Sequence, residues 1–289
     1  MSEPTRTAEA DLAHWRTWVG RTEQRSDRID GAALDALAAT LDRDDPPARA
    51  GDAVPPLAHW LFFLAAARQS ELGADGHPRR GGFLPPIALP RRMWAGGRLT
   101  FQHALQVGDE VVRTSRIVGV DAKSGRSGRL AFVTVRHEIA GPRGPAIVEE
   151  HDIVYRDPPR AAAAEPAAAP ADEAFSRRIA PDPVLLFRYS ALTFNGHRIH
   201  YDRRYATEVE GYPGLVVHGP LIATLLVDLL HRERPAAAIR RFAFTARSPL
   251  FDGQPFHVCG RFDDGQRSAA LWARDDRGAL AMQASAELA

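Results

Sequence analysis

The chain has 289 residues, of which 45% are hydrophobic and 25% are charged, with a formal net charge of +1 at pH 7 and one cysteine, Cys259. This is the composition of a globular protein, and a charge so close to zero excludes the basic field on which nucleic-acid binding depends. A single cysteine excludes an internal disulfide framework and favours a reducing compartment, so we expect a cytoplasmic protein. The longest apolar segments are too short or too interrupted to span a bilayer, and the N-terminal segment lacks the apolar run of a secretory signal. We therefore expect no nucleic-acid or membrane partner.

The first half of the sequence predicts one helix followed by several strands. Asp30–Arg43 begins with a residue suited to cap a helix and has apolar residues at helical spacing. Gly81–Gly97 follows, and its prolines and glycines exclude a long helix there. Three segments rich in Val, Ile, Thr and Phe, separated by glycine-containing turns, are predicted as strands: Arg98–Val120, Arg129–Gly141 and Pro145–Asp157.

A low-complexity segment, Pro158–Ala174, separates the two halves. It consists almost entirely of alanine, proline and acidic residues, so it lacks the side chains needed to form a core. We interpret it as a semi-rigid linker between two predicted domains, residues 1–157 and 175–289.

The second half repeats this order of elements. Pro181–Thr193 is predicted as a helix and precedes a polar loop, and His218–Glu233 is predicted as a second, strongly apolar helix. The repetition indicates an internal duplication of an α+β unit in which a sheet surrounds one buried helix. The four strand segments that close the chain are Ala238–Leu250, Gln254–Phe262, Arg267–Asp275 and Gly278–Leu288.

The polar loop Phe194–Asp202, FNGHRIHYD, concentrates hydrogen-bonding side chains between two apolar segments. Its histidines His197 and His200 could form a metal site with His218, but neither an HExxH motif nor a cysteine pair accompanies them, so we predict no metal. Cys259 lies within a predicted strand and no GxSxG elbow exists, which argues against covalent catalysis. The sequence also lacks the glycine-rich phosphate loops of nucleotide-binding proteins, and we expect no cofactor.

A general base in this loop, beside a helix N-terminus, is the third interpretation. Gly219 begins the apolar helix and Pro220 occupies its first turn, where a missing N–H is tolerated. Unpaired N–H groups at such a terminus suit a developing oxyanion, and glycine allows a ligand to approach the backbone closely. The same pattern is also that of a well-capped core helix, so these residues alone leave both interpretations open.

Taken together, FNGHRIHYD and GLVVHGPLIATLL resemble the MaoC-like, R-specific enoyl-CoA hydratase family of hotdog-fold proteins. The family's motif has the form D-x-N-P-L-H, followed after a short interval by H-G at the head of the central helix. Asn195 stands at the position of the catalytic aspartate, His200 at that of the catalytic histidine, and Gly219 at the glycine whose N–H forms the oxyanion hole. The segments AHWLFF, MWAGG and KSGRSGRLAFVTVRHE narrow the resemblance to a double-hotdog subgroup, which includes mesaconyl-C4-CoA hydratase and hydroxyacyl-thioester dehydratases.

The resemblance implies an α+β fold with two tandem hotdog units, each an antiparallel sheet around a helix, in which the first helix is degenerate. It also implies a hydro-lyase that adds or removes water across the α,β double bond of an acyl-CoA thioester, with mesaconyl-C4-CoA as the best candidate substrate. The alternatives are a 3-hydroxyacyl-thioester dehydratase of fatty-acid type, a hotdog thioesterase and a non-catalytic acyl-binding module. A homodimer is compatible with each of these.

Position 195 departs from the family's motif. Because asparagine cannot accept a proton, we predict that His200 alone transfers protons while the Asn195 amide holds the water or the imidazole. The competing interpretation is a hydratase fold that has lost its chemistry.

Arg198 stands where the family has an apolar proline, and we predict that it binds an acidic group of the substrate, because arginine forms bidentate pairs with carboxylates. The alternative is a surface salt bridge. Tyr201 and Asp202 are predicted to orient the loop, with Asp202 able to pair with an arginine. The predicted substrate-binding residues are Arg198, His197, His218 and Tyr201.

Overall fold

The computed structural model describes residues 8–125, 128–157 and 165–289. Within them, the chain forms four α-helices and ten strands. The helices are α1 (Ala8–Arg16), α2 (Gly31–Thr40), α3 (Pro183–Leu192) and α4 (Gly219–Glu233). The strands of the first half are β1 (Thr22–Arg28), β2 (Arg91–Phe101), β3 (Glu110–Gly125), β4 (Gly128–Gly141) and β5 (Gly144–Arg156). Those of the second half are β6 (Phe175–Ile179), β7 (Ile239–Ala246), β8 (Phe256–Phe262), β9 (Ser268–Asp275) and β10 (Leu280–Leu288).

All ten strands belong to one antiparallel sheet, in the order β1-β3-β4-β5-β2-β7-β10-β9-β8-β6. From one edge of the sheet, the first five strands lie side by side in the order β1-β3-β4-β5-β2. From the opposite edge, the last five lie in the order β6-β8-β9-β10-β7. The two halves therefore have the same topology and meet where β2 pairs with β7. This confirms the internal duplication and the α+β class expected from the sequence.

Two glycines of the MWAGG segment allow the halves to approach each other at this seam. A Cβ atom on Gly96 would lie 2.7 Å from the carbonyl oxygen of Phe244, and one on Gly97 would lie 2.8 Å from the Phe244 ring. Both distances are shorter than normal van der Waals contact, so larger residues would push β2 away from β7.

The central helix is present in the second unit and reduced in the first. α4 has fifteen residues, and its segment Leu221–Leu230 is entirely buried. Between β1 and β2, by contrast, the described residues contain α2, with ten residues, and two short 3-10 turns. By chain order α2 corresponds to α3, and each has an aspartate cap, Asp30 and Asp182. The expectation of a degenerate first helix is thus confirmed.

One buried carboxylate anchors α4 to both units. Asp228 is 3% exposed and lies two residues before the end of the buried segment Leu221–Leu230. Its oxygens form salt bridges with Arg43 at 3.0 Å, Arg177 at 2.9 Å and Arg232 at 2.8 Å. Several cations around one carboxylate offset the cost of burying its charge and link α4 to the segment after α2 and to β6.

The edge strands β1 and β6, with the sequences TEQRSDR and FSRRI, are not among the sequence predictions. Residues 158–164 of the predicted linker lie outside the described residues. Further along, Ala168 forms an isolated bridge with Ala279 of the second unit. The domain limits 1–157 and 175–289 stay a prediction. In the part of the chain that the structure describes, no helix combines the length and apolar character needed to cross a membrane.

Candidate active site

The polar loop between α3 and α4 is held by its own backbone. Asn195 donates its N–H to the carbonyl of Ser190 at 2.8 Å, and a 3-10 turn follows at Arg198–His200. The Asn195 side chain accepts a hydrogen bond from the N–H of His197 at 3.0 Å. Its amide oxygen therefore stabilises a tight turn, the local role for which short polar side chains are suited.

One backbone contact fixes the tautomer of His200. Its Nδ1 lies 2.7 Å from the carbonyl oxygen of Val216, and a carbonyl can only accept, so Nδ1 carries the proton and Nε2 keeps its lone pair. Burial lowers the pKa of His200 to about 4, although the bond to Val216 opposes this shift, and the charge of His77 adds to the lowering. The imidazole is therefore neutral near pH 7 and able to accept a proton.

His218 connects this base to the start of α4. It is the residue before the helix, it is 1% exposed, and its Nε2 lies 2.8 Å from the hydroxyl oxygen of Ser190 on α3. Its ring stacks on that of His200 with a centroid separation of 3.7 Å. Burial lowers the pKa of His218 well below its usual value, and the charges of His200 and His197 add to this effect. A neutral His218 ring thus lies between His200 and the start of α4.

Gly219 is the first residue of α4, so its N–H has no carbonyl partner within the helix. A Cβ atom built on Gly219 would lie 3.8 Å from the carbonyl oxygen of Trp94, which is an ordinary contact. The fold does not require glycine at this position on steric grounds. The benefit of glycine is instead that it leaves room beside a free helix N–H, as an oxyanion site requires.

Arg198 lies in the same loop, where its donors already have partners. Its guanidinium bonds to Asp202 at 2.7 and 3.0 Å and to the carbonyl of Ala74 at 3.0 Å. The same group lies over the ring of Tyr205, 4.2 Å from the centroid. The predicted pairing of Asp202 with an arginine is present. Tyr201 donates its hydroxyl to the carbonyl of Gly196 at 3.0 Å, inside the loop.

A loop of the first unit, Gly73–His77, completes the site and was missed in the sequence analysis. The carbonyl of Asp75 accepts the N–H of Arg198 at 2.9 Å, and the rings of His77 and His197 lie 4.1 Å apart. Burial lowers the pKa of His197 to about 2, and the charge of His77 adds to this effect. The Asp-Gly-His sequence is a turn signal, but nothing in its local pattern indicates that it contacts a loop more than a hundred residues away.

A family model described as "Hydroxyacyl-thioester dehydratase type 2" matches residues 57–252, more than half of the chain, including the loops that form this site. The chain belongs to this family. It is 50% identical over 280 residues to a mesaconyl-C(4)-CoA hydratase of Chloroflexus aurantiacus, and the alignment covers 96% of this chain and 98% of the relative. The resemblance inferred from the sequence motifs is therefore confirmed.

Two solved structures from Mycobacterium tuberculosis show the same fold. HtdX has a TM-score of 0.67 and 20% identity, covering 93% of this chain and 100% of that one. A protein described as having a double hotdog fold has a TM-score of 0.57 and 15% identity, covering 94% of this chain and 96% of that one. The predicted double hotdog is confirmed.

The first unit of the fold contains a second polar cluster. Glu149 is 1% exposed, and its Oε2 lies 3.1 Å from His59 Nε2 and 3.0 Å from Trp60 Nε1, while its Oε1 lies 3.0 Å from His151 Nε2. Burial would raise the pKa of Glu149, but the charges of His151 and His59 hold it well below its usual value. With His137, Glu149 and His151 also bring ligand atoms within 4.8 Å of one another, a set that would suit a divalent metal. The ring partners already stabilise the buried carboxylate.

A cavity of about 540 Å³ lies at the opposite end of α4 from Gly219. Its lining is mainly apolar and combines α2 with the C-terminal half of α4. No residue of the polar loop Phe194–Asp202 is among the residues that line it. Its lining includes Leu34, Leu37, Val54, Val227, Leu230 and Ile239.

Proposed function

We propose that this chain adds water across the α,β double bond of an acyl-CoA thioester, or removes it, with His200 as the base and the start of α4 as the oxyanion site. The observation that carries the proposal is the 2.7 Å contact between His200 Nδ1 and the Val216 carbonyl. It leaves Nε2 as an acceptor on a ring that stacks against the residue before Gly219. Base and oxyanion donor are thereby held in one rigid unit.

In the hydration direction, His200 Nε2 accepts a proton from water as the water oxygen bonds to the β-carbon. The π electrons of the double bond move toward the thioester, whose oxygen gains negative charge. The free N–H of Gly219 is placed to stabilise that charge, and one such donor contributes about 3–4 kcal/mol in other enzymes. The imidazolium of His200 then returns its proton to the α-carbon, which restores the neutral base.

Mesaconyl-C4-CoA is the substrate we propose, because the relative with 50% identity is a mesaconyl-C(4)-CoA hydratase. This acyl group carries a carboxylate on the carbon that water attacks, so its cationic partner must lie close to His200. Arg198 stays a predicted partner, although Asp202 already holds its guanidinium. Arg92 on β2 is a second candidate. Burial lowers the pKa of His77 and of His197, and the positive charge of Arg92 lowers both further, so Arg92 acts electrostatically on this site.

A thioesterase is the main alternative from another reaction class. Hotdog thioesterases usually need a carboxylate near the helix start to activate water, and the sequence has none between Glu210 and Asp228. Asp228 itself is held in three salt bridges. These features favour hydration over hydrolysis.

Incubation with crotonyl-CoA, mesaconyl-C4-CoA and their hydrated forms tests the proposal. A hydratase changes the enoyl absorbance and releases no thiol, whereas a thioesterase releases free CoA. Binding without either change would identify a non-catalytic acyl-binding module and contradict the proposal. If mesaconyl-C4-CoA is turned over no faster than crotonyl-CoA, the reaction class stands and mesaconyl-C4-CoA is rejected as the substrate.

We also infer a cytoplasmic location, supported by the buried free thiol of Cys259. A homodimer and the domain limits 1–157 and 175–289 belong to the same proposal. Light scattering tests the oligomeric state, and limited proteolysis within the predicted linker Pro158–Ala174 tests the limits.

A further inference from the structure

The attacking water needs two acceptors, one to take a proton and one to orient the molecule. Asn195 stands where the family's motif has aspartate, and its side-chain oxygen already accepts the N–H of His197. The site therefore lacks a carboxylate at the position where the motif of the R-specific enoyl-CoA hydratases has one. A carboxylate does reach the catalytic loop from the other unit of the fold.

That carboxylate belongs to a loop that is docked through its backbone. The carbonyls of Asp75 and Ala74 bind the backbone N–H and the Nη1 of Arg198, at 2.9 and 3.0 Å. Gly76, which lies between Asp75 and His77 in the chain, has a φ of +87°. A Cβ atom there would come within 1.9 Å of the Gly196 carbonyl oxygen, so only glycine permits this docking.

Asp75 and His77 form a pair with a defined orientation. Asp75 Oδ1 accepts the backbone N–H of His77 at 3.0 Å, and Oδ2 lies 3.3 Å from the ring Nδ1. Burial would raise the pKa of Asp75, but its hydrogen bonds from His77 outweigh burial and lower it, so the carboxylate is ionised. An ionised carboxylate can only accept, which places the proton of the neutral ring on Nδ1 and leaves a lone pair on Nε2.

His77 is also neutral and close to the base. Burial lowers its pKa, while the bond to Asp75 opposes the shift. Its ring lies 4.1 Å from that of His197, which in turn lies 5.4 Å from that of His200. About a quarter of the His77 side chain, 23%, stays exposed. The pair thus offers a second neutral acceptor in the group of rings that His197 links to His200.

We propose that His77, oriented by Asp75, is a catalytic residue that accepts a hydrogen bond from the attacking water and so replaces the family's aspartate. The proposal rests on the proposed hydratase function. One O–H bond of the water breaks toward His200 as its oxygen bonds to the β-carbon. The other O–H bond points at His77 Nε2, remains intact and becomes the product hydroxyl. His77 gains and loses no proton, and its role is that of an acceptor.

Substitutions at three positions test this assignment. We expect His77→Gln and Asp75→Asn to lower kcat by roughly 10- to 100-fold with little change in KM, since they remove orientation and not the base itself. Their effects should not add in the double variant, because Asp75 acts through His77. Adding Asn195→Asp to His77→Gln should restore part of kcat by returning a carboxylate to the family's position. Glu71→Gln, in the same segment, is the matched control and should keep wild-type kcat.

Several results would overturn the assignment. His77→Gln with full activity would do so. The assignment would also fail if the loss of kcat in His77→Gln accompanied a fall in melting temperature and Asn195→Asp did not reverse it. In that case His77 would only dock the loop. Asp75, His77 and His197 also bring ligand atoms within 4.8 Å of one another, so metal content must be measured. A stoichiometric metal whose chelation abolishes hydration would replace the acceptor role. If the wild-type chain hydrates no acyl-CoA, the proposed function fails together with this assignment. If the wild type and His77→Gln are both fully active, only the assignment of His77 fails.

Discussion

The imidazole of His200 lies flat against that of His218, with ring centroids 3.7 Å apart and an interplanar angle of 19°. Each ring has a separate anchor, the Val216 carbonyl for His200 and the Ser190 hydroxyl for His218. A movement of the base would therefore disturb the residue that precedes α4. Two stacked imidazoles in a buried site also favour the neutral state, because charging one raises the cost of charging the other.

Replacing the base should remove hydration and leave the fold in place. We expect His200→Gln to lower kcat by ~10²–10⁴-fold, the usual contribution of a general base. Glutamine keeps a polar side chain next to Val216 and limits the packing loss that alanine would cause. Steady-state kinetics with crotonyl-CoA provide the measurement, and near-UV circular dichroism provides the control. Full rate in a folded His200→Gln would assign the base to another residue.

The pH dependence of kcat/KM should reflect the lowered pKa of His200. Burial places that pKa at about 4, and the base must be neutral, so activity should persist as pH falls from 7 to 5 and decline only as pH approaches 4. An ordinary histidine would cause the decline near pH 6.5. A midpoint at 6.5 that disappears in His200→Gln would show that the site is more hydrated than its geometry indicates.

Buried histidines should also make the fold less stable in acid. Burial lowers the pKa to about 4 for His200, about 3 for His137 and about 2 for His197. Since these values lie below the unfolded value, the unfolded chain binds more protons, and stability present above pH 6.5 is lost as pH falls toward 4. Urea unfolding at pH 7.5, 6 and 5 measures the change. The loss between pH 6 and 5 should be smaller in His200→Gln, and an equal loss would contradict the assignment.

Gly219→Ala separates the role of this residue in catalysis from its role in folding. A methyl group at this position meets the Trp94 carbonyl at an ordinary 3.8 Å, so the melting temperature should stay close to that of the wild type. It would, however, stand beside the N–H that we assign to the oxyanion. We expect kcat to fall roughly 10-fold or more, short of losing a whole oxyanion donor. Gly76→Ala is the contrasting variant, because its methyl group would collide with Gly196 and should lower both activity and stability.

Two arginines compete as partners of a substrate carboxylate. Because Asp202 and the Ala74 carbonyl already bind Arg198, we expect Arg198→Ala to lower turnover of mesaconyl-C4-CoA and crotonyl-CoA by similar factors. Arg92→Ala should lower turnover of the dicarboxylic substrate selectively, as removal of a charge-assisted pair requires. The ratio of kcat/KM for the two substrates is the measurement. If Arg198→Ala selectively lowers turnover of the dicarboxylic substrate, Arg198 is the residue that binds its carboxylate.

The sequence predicted the elements whose side chains repeat with a clear period. α2, α3, α4 and the strands β7 to β10 were all expected, as were the helix start at His218 and the degenerate first helix. The edge strands β1 and β6 were not, because they are short and largely polar: TEQRSDR has one β-branched residue, Thr22, and no aromatic residue. Pairing with β3 and β8 makes them strands, and that information is not local.

The same limit applies to the site. His200 and Gly219 were predicted as site residues because the two nearby segments that contain them, FNGHRIHYD and GLVVHGPLIATLL, resemble the family's motif. The Asp75–His77 pair was not, because its significance arises from a contact with Arg198 that only the folded chain creates. The sequence predicted that Asp202 could pair with an arginine, and the structure pairs it with Arg198, four residues away. Contacts within one turn are visible in the sequence, and contacts between units are not.

The seam between β2 and β7 has a consequence for how the enzyme behaves in solution. The docked loop Gly73–His77 and the base His200 come from different hotdog units but belong to one polypeptide. Two units linked in this way experience an effective concentration of order millimolar or more, whatever the amount of enzyme present. A site assembled from separate single-unit chains would come apart on dilution. Here the specific activity should stay constant into the nanomolar range, so the duplicated chain remains competent even when it is scarce.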